Sequence, residues 1–141
     1  MNEGTELQVL LVATDTRQYS ETATLLRNAG YVLLKCTANQ VAARTRTFRA
    51  DAIVIDTEMS ETLQLLRSLP ASIDPSTVLV ISGAQDAVRR VKRGVTALSP
   101  AAMADELIQS LDVMLTRRMF AASNLPVYAM ASSGAQAQMA S

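Results

Sequence analysis

The chain of 141 residues contains no histidine, no tryptophan and one cysteine, Cys36. Without histidine there is no imidazole base and no histidine metal ligand, which closes much of the chemistry open to a small enzyme. One thiol cannot form an internal disulfide, so nothing points to an oxidising compartment. No histidine or basic cluster adjoins Cys36 in sequence, and a buried structural thiol is expected rather than a reactive one. Aromatic residues are 4% of the chain, and no stacking platform for nucleic-acid bases is visible among them. Net charge is missing too. Thirteen basic and 13 acidic residues cancel, which removes the basic field that a general nucleic-acid or membrane-surface binder needs. No apolar run reaches the roughly 18 residues of a membrane span. Residues 1–6 are polar and acidic, unlike a secretory leader. A cytoplasmic protein is expected, with no nucleic-acid or membrane partner.

What is present is a regular alternation. Short, nearly continuous apolar runs at residues 7–12, 31–36, 52–55, 78–81 and 95–98 read as strands buried on both faces. Between and after them, 17–28, 39–48, 61–69, 87–93 and 100–120 read as helices. The first helix has Tyr19, Ala23 and Leu26 on one stripe, with Leu25 alongside. The second is expected to turn Val41, Ala42, Thr45 and Phe48 inward, and the third Leu63, Leu66 and Leu69. Gly30 supplies a helix stop, and Pro100 opens the last helix, where a missing N–H is harmless.

Five βα units with right-handed crossovers predict an α/β fold. It is a three-layer αβα, flavodoxin-like (βα)5 arrangement with a five-stranded parallel sheet, order 2-1-3-4-5. The domain is expected to span 1–120. Residues 121–141 carry no charged side chain and are rich in Ala, Ser, Gln and Met, which suits either a loose tail or an interdomain linker.

In such sheets the site lies at the carboxyl ends of the strands. Those ends carry Ala13-Thr14-Asp15, Thr37, Asp56, Ser82-Gly83 and Ser99-Pro100. As an ordered set they resemble the CheY-like receiver domain of bacterial response regulators, over about residues 7–118. The run Ala50-Asp51-Ala52-Ile53-Val54-Ile55-Asp56 is similar to that family's approach to its phosphoacceptor aspartate. Asp56-Thr57-Glu58-Met59 resembles its D-x-x-M, although the usual next proline is Ser60 here.

The resemblance implies a role for each position. The aspartate would attack a phosphoryl donor and become an acyl phosphate. An acidic pair after the first strand would hold Mg²⁺, a lysine after the fifth would contact the phosphoryl group, and a hydroxyl after the fourth would bond it. Here Asp56 and Ser82 are kept. The acidic-pair positions are Ala13 and Thr14, with Asp15 acidic one place later, and the lysine position is Ser99. An aromatic switch on the fifth strand is replaced by Thr96. Losing one preorganised contact of this kind costs on the order of 10²–10³ in rate, so Asp56, Ser82, Asp15 and Ser99 read as a vestigial site without metal or cofactor. Apart from the resemblance, a carboxylate at a strand end also suits acceptance of backbone N–H bonds from the next loop, and Ser-Gly after a strand is common turn chemistry.

Arg89, Arg90, Lys92 and Arg93 crowd the fourth helix, while Asp105, Glu106 and Asp112 lie on the fifth. The resemblance implies a two-fold homodimer through the face made of fourth helix, fifth strand and fifth helix, where opposite charges pair across the axis. Val91, Val95 or Met103 would have to add apolar contacts, because exposed pairs contribute little. A solvated basic face suits the same residues. Arg44, Arg46 and Arg49 form a second basic patch with no assigned role.

The expected function is therefore a non-enzymatic pseudo-receiver acting in signal transduction or localisation through protein–protein contacts. One alternative is a working two-component response regulator phosphorylated on Asp56. Another is the amino-terminal regulatory or dimerisation domain of a pilus-assembly or localisation ATPase of the TadZ/CpaE type. A flavin or nucleotide enzyme on the same sheet is disfavoured, since Ala13-Thr14-Asp15-Thr16-Arg17 contains no glycine-rich phosphate loop.

Overall fold

The computed structural model describes the backbone of residues 7–14 and 16–128, and the side chains of residues 7–14 and 21–117. Strands and helices alternate: β1 (Gln8–Ala13), α1 (Thr16–Asn28), β2 (Val32–Cys36), α2 (Val41–Thr47), β3 (Ala52–Asp56), α3 (Met59–Ser68), β4 (Val78–Ile81), α4 (Gln85–Val91), β5 (Thr96–Leu98) and α5 (Met103–Tyr128). Short 3-10 turns at Ala38–Gln40, Pro75–Thr77 and Pro100–Ala102 lead into α2, β4 and α5. The sheet is five-stranded, parallel and ordered β2-β1-β3-β4-β5. The expected flavodoxin-like α/β fold is the observed one.

The core explains why the strands read as continuous apolar runs. β3 and β4 are buried at every position, and β1 at all but the first. Alternation of side chains then separates two faces. Leu10, Val12, Ile53, Ile55, Val78, Val80 and Ala97 join Val41 of α2, Leu65 and Leu66 of α3 and Val88 of α4 in one cluster. Residues of the other parity, Val9, Leu11, Val54 and Leu79, are buried as well and stand outside that cluster. Asp56 shares the parity of Val54, so the pleat turns its carboxylate away from the α3–α4 side.

Some local expectations are corrected. Ala42 is exposed, because α2 begins only at Val41 after a 3-10 turn and directs Val41 alone fully inward. Strand β2 starts at Val32, since Tyr31 N–H still bonds to the Leu26 carbonyl at 3.2 Å as part of the helix stop. Helix α4 ends at Val91, so Lys92 is its extended cap and Arg93 lies beyond it. Pro100 opens a 3-10 turn rather than the helix itself. Helix α5 runs to Tyr128, past the expected end near residue 120. The chain divides into two compact units, Met1–Leu111 with the sheet and Asp112–Ser141 with the remainder of α5.

Candidate functional site

Parallel strands deliver their carboxyl ends to one edge. Ala13 and Asp56 are register partners across β1 and β3, and Ser82 follows Ile81 on the neighbouring strand β4. Asp56 is 5% exposed. Its Oδ2 accepts a hydrogen bond of 2.9 Å from the hydroxyl of Thr22, which is itself fully buried in α1. Burial raises the Asp56 carboxyl above the ordinary carboxylate value. The Thr22 hydroxyl opposes this rise, and the negative charge of Glu21 adds to it.

Thr14 follows the last residue of β1. Its hydroxyl donates to Glu61 Oε1 and accepts the Glu58 backbone N–H at 3.3 Å. The β1–α1 loop is thereby clasped to the start of α3. Glu61 lies in the first turn of α3, where the helix dipole favours a carboxylate.

Ser82 and Ser99 are committed to local structure. Ser82 Oγ accepts the Ala84 N–H at 3.1 Å and faces the Met59 sulfur at 4.0 Å. Ser99 Oγ accepts the Ala102 N–H at 3.2 Å, capping the turn that starts α5. Asp15 lies outside the described residues. Thus Ala13, Asp56 and Ser82 come together on neighbouring strands, and Ser99 follows β5, whose Leu98 carbonyl accepts the Ser82 N–H at 2.8 Å.

Among the described residues this donor set does not suit Mg²⁺. The ion wants several hard oxygen ligands in near-octahedral geometry. Ala13 supplies none, Thr14 is tied to Glu61 and Glu58, and one Asp56 oxygen is taken by Thr22. Among the described residues no group of three or more His, Cys, Asp or Glu side chains could hold a metal ion.

The residues proposed for a dimer face divide differently. Arg89, Arg90 and Arg93 are exposed and line one groove, and Lys92 is half-buried. Asp105 and Glu106 are exposed in the first turn of α5, while Asp112 begins the second unit. Val95 and Met103, expected to supply apolar contacts, are 7% and 8% exposed. Val91 packs against the α3–α4 cluster. These apolar residues are spent on the domain's own core.

Sequence reading missed Thr22. A signal existed, since Thr22 lies within the apolar stripe of α1 between Tyr19 and Leu26. A hydroxyl there has to find a buried partner.

No protein-family model matches the chain, and no curated protein matches it. Solved structures do match. The signal receiver domain of a signal transduction histidine kinase from Syntrophus aciditrophicus aligns with a TM-score of 0.65 at 20% identity, covering 78% of this chain and 90% of that one. A response regulator receiver protein from Sinorhizobium medicae WSM419 aligns with a TM-score of 0.65 at 16% identity, covering 81% of this chain and 98% of that one. The fold is that of response-regulator receiver domains, as the ordered strand ends had implied. No helix among the described residues is long and apolar enough to cross a membrane.

Proposed function

We propose that the chain is a pseudo-receiver: a cytoplasmic signalling or localisation module that works through protein–protein contacts, without catalysis and without Mg²⁺-dependent phosphorylation. The observation that carries this reading is the state of Asp56. Its carboxylate is buried and bonded to Thr22, and Ala13, Thr14 and Ser99 leave it without the charges that phosphoryl transfer needs. A phosphoryl group on this oxygen would break the Thr22 bond and add negative charge near Glu21.

A second reading, a working phosphoacceptor, is favoured by the retention of Asp56 and Ser82 on adjacent strands. Beryllium fluoride with Mg²⁺ separates the two. The pseudo-receiver shows no amide shifts around Asp56, Ser82 and Ser99 at millimolar Mg²⁺. Clustered shifts there overturn it. Reading the gene downstream of Ser141 tests whether the module precedes an effector such as a pilus-assembly or localisation ATPase.

A further inference from the structure

We infer that the groove beside the end of α4 docks a short, acidic segment of a partner protein on Arg89, Arg90 and Arg93. The inference rests on the interaction-module reading and names the partner's chemistry.

The groove comes from local backbone geometry. Helix α4 stops at Val91, Lys92 is extended (φ −142°, ψ 106°), and Gly94 at φ +95° turns the chain into β5. The return brings Arg93 beside Arg89 and Arg90 around an open volume of about 500 Å³, which Asp86, Gly94 and Val95 complete. Guanidinium groups near a helix carboxyl terminus are favoured by its dipole, which accounts for Arg89 and Arg90. It does not account for Arg93, which lies past the helix and still faces the same groove.

Among the described residues three guanidinium groups meet one carboxylate there. Asp86 reaches Arg89 at 3.4 Å, with side chains 88% and 53% exposed, a pairing that holds little. Among the described residues no ion pair engages Arg90 or Arg93. Like charges in a concave surface concentrate the local field, and each guanidinium fork matches a carboxylate with two parallel bonds.

A carboxylate peptide fits better than a nucleic acid. The chain's 13 basic and 13 acidic residues give no long-range attraction for a polyanion. Among the described residues no aromatic side chain lines the groove for a base to stack on. Val95, the groove's apolar contribution, is only 7% exposed, so binding is electrostatic and weakens with salt.

The test titrates a short Asp/Glu peptide, and its Asn/Gln counterpart, into the ¹⁵N-labelled full chain at low salt. Expected are saturable shifts of the Arg89, Arg90 and Arg93 side-chain N–H signals, from the acidic peptide alone. Arg90→Gln with Arg93→Gln should weaken binding by about tenfold or more. These residues are exposed, so circular dichroism should show the variant folded. Charge reversal with Glu at both positions should abolish binding.

Four results would each overturn the inference. They are absence of shifts, equal shifts at Arg44, Arg46 and Arg49, tighter binding of inorganic pyrophosphate or a single-stranded oligonucleotide, or shifts at the groove produced by raising protein concentration alone. The beryllium fluoride result reads Asp56 and not the groove, so failure of the pseudo-receiver reading and failure of the acidic-peptide site are seen separately.

Discussion

The Thr22 hydroxyl in α1 donates to Asp56 Oδ2 at the end of β3 across 2.9 Å, and both side chains are buried. The bond ties a helix to the sheet at the point where a receiver would carry out its chemistry. The pleat makes it possible, because Asp56 has the parity that points away from the α3–α4 cluster. Its carboxylate accordingly serves as a buried acceptor within the fold.

Thr22→Val keeps the shape and removes the donor. Hydrogen bonds to charged groups contribute about 1.5–3 kcal/mol, and urea denaturation at neutral pH should show a loss of that size. The loss should shrink in an Asp56→Asn background, where the acceptor is neutral. Equal losses in both backgrounds would mean that the hydroxyl acts through packing.

Asp56→Asn should leave the fold and acidic-peptide binding intact and should stabilise the protein at neutral pH. The folded state raises the carboxyl's pKa, chiefly through burial. Its contribution is therefore fully present below the unfolded value of about 3.9 and is lost as pH rises through the folded value. Asparagine is neutral throughout, so its advantage at pH 7 should fade toward acid in denaturation midpoints measured across pH. A variant less stable than the parent at pH 7 would contradict this.

Cys36 should be inert in the native state. It is 3% exposed at the end of β2, and burial pushes its thiol up to about 11, against a smaller lowering by Arg44. Iodoacetamide at pH 8 should label it only on unfolding, read by mass spectrometry with and without denaturant. Rapid native labelling would show that the β2 end opens.

Gly94→Ala should destabilise more than Gly30→Ala. Both glycines have φ +95°, a region that costs other residues about 1–3 kcal/mol. At Gly30 an added Cβ meets nothing within 4 Å, whereas at Gly94 it lies 3.1 Å from Pro75 Cβ. Thermal melts of the two variants check the order. Gly94→Ala should also disturb the groove's peptide binding, because the turn sets the position of Arg93.

Much of this protein was determined by local pattern. Strands buried on both faces must be continuous apolar runs, so 52–55 and 78–81 announced β3 and β4, and the alternation with helices announced the parallel sheet and its order. That Ala13 and Thr14 stand at the end of β1 and Ser99 at the end of β5 was equally legible, because the apolar runs define the strand ends. Tertiary structure alone decided the partners. Thr22 lies 34 positions from Asp56, and Thr14 lies 47 from Glu61. Whether such pairs meet depends on helix phase, strand parity and the distance between layers, which are set when α1 and α3 pack on the sheet. The reach of Arg93 back to Arg89 and Arg90 was hidden for the same reason. Its basic run read as one helix, and the extended Lys92 and the positive φ of Gly94 broke that helix and folded it into a groove.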